Sequence, residues 1–226
     1  MGNGIIKNLK FLCDCVLQVI YSDDDKCIIC REEMYDDKLL CKSCENSMKL
    51  CQDSFLVEKN GRKLEYYSVS YYSGIMMELI LKLKYKSDFR SGEAIGYYMI
   101  NIIKKYNLEC DYICYVPMTK LSIKKRGYNQ SEFLAKFISN HINIPIIHCL
   151  YKIKQTKDQI GLSGNERWEN MLGSISFAKN NNIRYKKILL IDDVITTGAT
   201  AFSCADVLIK NGAEEITLLT AAKSKV

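Results

Sequence analysis

A chain of 226 residues, 48% of them hydrophobic, is long enough for one well-filled core and a small appendage. Its net charge of +6 is uneven: residues 1–60 hold 8 Lys and Arg against 11 Asp and Glu, and residues 61–226 hold 24 against 15. The basic larger part favours phosphorylated or polyanionic partners. No apolar run reaches the roughly 20 residues that cross a bilayer, and no G-x4-G-K-[ST] loop points to an ATP motor.

In chain order, Ile5, Leu9, Leu12, Val16 and Ile20 follow helical spacing. Asp14 interrupts the run and no small-residue cleavage site follows, so a packed helix is expected rather than a signal peptide. Eleven cysteines without a secretory leader indicate a reducing, cytoplasmic compartment. Four of them stand as Cys27-x2-Cys30 and Cys41-x2-Cys44. Each pair sets two thiolates on one side of a tight turn, and two such turns make the tetrahedral sulfur cage of a structural zinc site. Cys13, Cys15 and Cys51 are set aside, and Cys110, Cys114, Cys149 and Cys204 read as small core residues. Residues 1–60 form the helix and zinc module, which needs its metal to fold, and residues 61–226 form the larger domain.

Lys63 to Tyr72, with four tyrosines, suggests a strand or hairpin. Helical spacing follows over 74–85 and 89–106. "DYICYVPMT" at 111–119 reads as the first buried parallel strand, closed by Pro117. "KKRGYNQSE" at 124–132 interleaves cations, an aromatic and amides. It either grips pyrophosphate or a nucleic-acid backbone through Lys124, Lys125 and Arg126 while Tyr128 stacks a base, or is a solvated loop whose Ser131 caps the next helix. A helix over 131–142 and a second strand, "IPIIHCL" at 144–150, are expected next. Gln155 to Asn170 is a polar stretch readable as a mobile lid or as a surface excursion. Ile188–Ile191 and Ile216–Thr220 supply the third and fourth strands. His141 and His148 belong to no hydrolase pattern. Strands alternating with helices define an α/β domain with a parallel sheet, whose ligands bind at the carboxyl ends of the strands.

The most specific stretch is "ILLIDDVITTGATA" at 188–201. A short β-branched run reads as a strand buried on both faces, and apolar spacing at Phe202, Ala205 and Ile209 runs to Asn211-Gly212 as a helix. Between them a small-residue turn offers backbone N–H groups at a helix amino end, where a phosphate binds. Asp192 and Asp193 would repel that phosphate and must face something else. Carboxylates at a strand's end accept hydrogen bonds from vicinal sugar hydroxyls, so a ribose 5-phosphate satisfies both halves.

Ile188 to Thr200 resembles the phosphoribosyl pyrophosphate (PRPP) loop of type I phosphoribosyltransferases. The resemblance implies that Asp192 and Asp193 contact the ribose hydroxyls and that the turn of Val194, Thr196, Thr197, Gly198, Ala199 and Thr200 holds the ligand by its 5-phosphate. Magnesium would arrive with PRPP. Val116 to Lys120, with Met118, Thr119 and Lys120, would then be the pyrophosphate loop. Two C-x2-C pairs, "VPMT", "KKRGYNQSE", "TKDQIGLSGNERWEN" and "IDDVITTGAT" stand in the order of the ComF family, and the resemblance spans nearly the whole chain. It implies a phosphoribosyltransferase-like fold with an amino-terminal zinc module, and a role with single-stranded DNA in natural competence beside a helicase-like partner. An active Mg-PRPP-dependent phosphoribosyltransferase in nucleotide salvage is the alternative, although no separate hood for an acceptor base is evident.

Overall fold

A computed structural model describes residues 25–36, 38–59, 61–153, 173–178 and 181–224. The expected helix over 5–20, Cys13, Cys15 and the expected lid over 155–170 lie outside the described residues. The chain enters through the cysteine segment and a one-turn helix α1 (Lys42–Asn46), then forms a hairpin of β1 (Phe55–Lys59) and β2 (Arg62–Tyr71). Helices α2 (Gly74–Lys86) and α3 (Phe89–Tyr106) lead to β3 (Tyr112–Tyr115). After it come α4 (Lys120–Arg126), α5 (Gln130–Ile142), the short strands β4 (Leu150–Lys152) and β5 (Ile175–Phe177), β6 (Lys187–Ile195), α6 (Ala199–Lys210) and β7 (Glu215–Lys223).

The main sheet runs β1-β2-β7-β6-β3, antiparallel only where β1 joins β2 and parallel elsewhere. The central strand β6 is buried on both faces, as its unbroken aliphatic run requires. Leu189 and Ile191 pack with α2, α3 and α5, whereas Ile188 and Leu190 pack with α6 and the β4–β5 ribbon. Gly92 and Gly96 let α3 lie close on α5: a Cβ at Gly96 would stand 2.3 Å from Phe137 Cδ1. Local chemistry marks the ends. Asp88 caps α3 through Ser91 N–H (3.1 Å), Asn129 caps α5 through Ser131 N–H (3.0 Å), and α2, α3 and α5 close on Ser87, Asn107 and Asn143 in the left-handed region.

This mostly parallel sheet between helical layers is the expected fold class, with four differences of detail. The strand expected over 111–119 stops at Tyr115. Val116 still donates to Ile191 O (3.0 Å), but its carbonyl accepts from the Asn129 side chain (3.0 Å), and Pro117 has no N–H for the ladder. The stretch 144–149 is not a strand of the main sheet, and Leu150 already belongs to β4. That stretch makes a single parallel bridge, Ile113 with Ile146, because Pro145 cannot extend the ladder, and the chain then leaves for the antiparallel β4–β5 ribbon. The parallel place on the other side is taken by β2, whose first partner β1 comes from before residue 60. Finally, β6 continues four residues past Ile191, so that Asp192 and Asp193 are strand residues at its carboxyl end.

The cysteine segment joins the same core. Cys27, Ile28, Leu40, Cys44 and Met48 are buried against the side of the sheet covered by α2 and α3. Lys82 of α2 donates to Ile28 O, Tyr98 of α3 donates to Glu45 Oε1 (3.0 Å), and Cys51 N–H donates to Val69 O (2.9 Å).

Candidate functional site

At the carboxyl end of β6 two carboxylates emerge in opposite phases of the strand. Asp193, in phase with Leu189 and Ile191, faces the α2 side and is only 5% exposed. There Lys84 meets it, with Nζ 2.9 Å from Oδ2. Burial alone would depress the Lys84 ammonium, but the Asp193 carboxylate outweighs it and the pKa lies above the usual lysine value. Asp192 is half-buried. Its Oδ1 accepts from Ser131 Oγ and from Asp193 N–H, both at 2.9 Å. Burial, and then the neighbouring charge of Asp193, push its carboxyl up to about 7 against the pull of those two donors. Lys152 of β4 lies within the field of Asp192, and burial lowers its pKa. Two adjacent carboxylates are therefore held in one arrangement, one neutralised by an ammonium and the other poised near neutrality.

The turn beyond them opens helix α6. Gly198 takes φ +78° as the amino cap of α6, and Thr197 Oγ1 accepts from Ala199 N–H (3.5 Å). A Cβ at Gly198 would lie 2.9 Å from Val57 Cγ2, so the hairpin backs the turn from behind. Val194, Thr196, Thr197 and Thr200 are half-buried, and Gly198 and Ala199 are buried. The motif residues Asp192 to Thr200 thus stand together where the strand meets the helix.

The second candidate group divides. Residues 120–126 are helix α4 rather than a loop, started by Thr119, whose Oγ1 accepts from Ser122 N–H (3.1 Å), and ended by Gly127 at φ +102°. Lys120, Lys124 and Lys125 are exposed and Met118 is half-buried. The Arg126 guanidinium donates to Gln130 Oε1 (2.6 Å) and leans on Met118 Sδ (3.9 Å). Tyr128 is half-buried. Its hydroxyl donates to Leu83 O, and its ring packs 5.3 Å from that of Phe89. Ser131 does not cap its helix through the hydroxyl, which goes to Asp192 instead.

Two members of the site were missed in the sequence. Ser131 lies inside "KKRGYNQSE", where its place at a helix start suggests a cap and not a partner for Asp192. Lys84 lies in "LKLKYK", where the alternating lysines gave no sign which one would turn inward.

The four cysteines form a second centre. Their sulfurs all lie within 4.8 Å of one another, with Cys30 and Cys41 at 3.5 Å. A zinc–sulfur distance of about 2.3 Å makes tetrahedral sulfur edges of about 3.8 Å, so the cluster is near the size such an ion would need. Burial would raise the Cys27 thiol, but backbone N–H groups of Cys41, Cys30 and Ile29 aimed at its sulfur bring it down to about 6. The Cys44 N–H also points at the Cys41 sulfur, but burial and the neighbouring Cys30 and Glu32 leave that thiol above its ordinary value, and burial with the crowding of the other three sulfurs raises Cys44 as well. Donors pointed at thiolates are what a metal-bound sulfur requires, so these residues fit a metal ion. Cys51 lies buried outside the cluster. Cys114, Cys149 and Cys204 are buried and Cys110 is half-buried. Among the described residues no helix is long and apolar enough to cross a membrane.

No family model matches the chain. It is 29% identical over 218 residues to Competence protein F of Haemophilus influenzae, covering 84% of this chain and 93% of that protein. It is 26% identical over 236 residues to Competence protein ComFC of Bacillus subtilis, covering 93% and 92%. DNA utilization protein YhgH of Escherichia coli is 24% identical, covering 84% and 86%. Among solved structures, the glutamine PRPP amidotransferase from B. subtilis aligns with a TM-score of 0.43 at 18% identity, over 62% of this chain and 30% of that one. Orotate phosphoribosyltransferase of Mycobacterium tuberculosis aligns with a TM-score of 0.37 at 14% identity, over 78% of each chain.

Proposed function

We propose, on the premise that this chain belongs to the ComF family of competence proteins, that it binds PRPP or a related ribose 5-phosphate and handles single-stranded DNA during natural transformation, in the cytoplasm and beside a helicase-like partner. The observation that carries the reading is the pair Asp192 and Asp193, held by Ser131 and Lys84 at the end of β6, one turn before the glycine-capped start of α6.

Each part has a defined task. The carboxylates of Asp192 and Asp193 accept hydrogen bonds from the two vicinal ribose hydroxyls. Backbone N–H groups and hydroxyls of Thr196 to Thr200 donate to the 5-phosphate, each such bond to a charged group contributing roughly 1.5–3 kcal/mol. Lys84 offsets one of the two negative charges, which reduces the repulsion a phosphorylated sugar would meet. Met118, Thr119 and Lys120, at the neighbouring strand end, are disposed toward a pyrophosphate. Magnesium bound with that group would neutralise phosphate oxygens, which are its preferred ligands. Lys124, Lys125 and Arg126 supply the cationic surface for a nucleic-acid backbone. Cys27, Cys30, Cys41 and Cys44 hold a structural zinc that fastens the amino-terminal segment to the core.

Calorimetric titration with Mg-PRPP and with single-stranded DNA, separately and together, tests the reading. Micromolar binding of PRPP, lost in Asp193→Ala, is expected, together with oligonucleotide binding that weakens steeply with salt. Absence of heat from both ligands at low salt would refute it.

A further inference from the structure

Tyr128 is half-buried and engaged by Leu83 O and Phe89, which leaves open which exposed aromatic could meet a base. Tyr85, the penultimate residue of α2, is 68% exposed. Arg126, which lies against its ring, is also close enough to Lys84 for the two charges to act on each other, and the Lys84 ammonium reaches Asp193, which sets the ring near the phosphosugar site. The guanidinium carbon of Arg126 lies 5.6 Å from the centre of that ring, within cation–π range. Arg126 is held by Gln130 and Met118, so the planar cation is already positioned. Leu81, one turn before Tyr85, is 38% exposed and prolongs the apolar strip along α2. Exposed Lys86, Lys124 and Lys125 belong to the same two helices. An open aromatic ring, a fixed guanidinium and flanking ammonium groups beside a sugar-reading pair are together a surface for an unstacked base with its backbone.

We infer that Tyr85 and Arg126 form the platform on which an unpaired nucleobase of a single strand stacks, at the mouth of the Asp192–Asp193 site. The inference rests on the nucleic-acid half of the proposed function and gives it a location. Stacking on an aromatic ring tolerates any base and is closed to a paired one, so the platform selects single strands without reading sequence. Arg126 serves twice, as one plane of the platform and as a counter-ion to the backbone.

Fluorescence anisotropy with a labelled thymidine oligomer, the duplex of equal length and an abasic strand of equal length provides the test. Tyr85 is exposed, so its replacement leaves the fold intact, which a thermal melt verifies. Tyr85→Ala is expected to weaken the thymidine oligomer about tenfold or more, the loss of one stacked base. Tyr85→Phe should retain wild-type affinity, and Tyr85→Ala should leave abasic-strand and PRPP binding unchanged. If the wild type binds the oligomer and Tyr85→Ala binds it equally well, the platform is wrong while single-strand binding stands. Equal losses on abasic and thymidine strands would also overturn stacking. If the wild type binds no single strand at low salt, the parent reading fails and the platform with it.

Discussion

Replacing Lys84 by methionine keeps the apolar stem and removes the ammonium 2.9 Å from Asp193 Oδ2, where the two side chains are 18% and 7% exposed. Removing one partner of a buried pair strands the other charge, at a cost of about 3–5 kcal/mol. The residual exposure of Lys84 puts this site near the lower figure, about 3 kcal/mol. For a chain of this length that corresponds to a melting temperature lower by roughly 6–12 °C. Asp193→Asn strands the ammonium instead and should cost a similar amount. The double variant Lys84→Met with Asp193→Asn leaves no uncompensated charge, so its cost should fall well short of the two single costs combined, with a coupling of about 2 kcal/mol. Denaturant unfolding of the wild type, both single variants and the double variant at pH 7.5 measures this. Additivity to within about 0.5 kcal/mol would refute the assignment of Lys84 as the counter-ion of the motif.

The raised pKa of Asp192 has a definite sign. Its folded value of about 7 exceeds the ordinary 3.8, so the folded state holds that proton more tightly. The resulting stability is full below about pH 4 and is lost as pH rises through about 7, so Asp192→Asn should gain on the wild type across that window in paired melts. A difference that stays flat with pH would exclude it. Gly198→Ala combines a left-handed φ of +78° with a Cβ 2.9 Å from Val57 Cγ2; the cost should be about 2–4 kcal/mol, of which Val57→Ala recovers only the clash. For the cysteine cluster, elemental analysis should find one zinc per chain. Because Cys27 and Cys44 share the core that covers α2 and α3, Cys27→Ser should lower the melt of the whole protein; an unchanged main transition would contradict the shared core.

Much of the fold was legible because its signals are local. The helix over 89–106 coincides with α3, bounded by an aspartate that caps and an asparagine that takes the left-handed turn. The cysteine pairs were legible for the same reason, since each thiol pair is arranged by its own tight turn. Misreadings arose where the deciding partner is distant in sequence. The apolar run at 144–150 looks like a strand by composition, but Pro145 and the single available edge at Ile113 reduce it to one bridge. Tyr128 sits in a basic motif that suggests a stacking ring, yet the rings and carbonyls of α2 and α3 draw it inward. Ser131 was read for its nearest helix, whereas its hydroxyl bonds Asp192, 61 residues away.

The order of apolar run, acid pair and glycine turn was enough to specify a strand, a pair of carboxylates at its carboxyl end and a glycine-capped helix start, because steric preference, hydrogen-bonding capacity and helix-end electrostatics act within a few residues. Tertiary packing alone decided which lysine neutralises Asp193, which serine holds Asp192, which tyrosine remains in water and how the cysteine segment joins the core. Those choices depend on burial and on charge separation across the sheet, and neither is set until strands and helices far apart in the chain have come together.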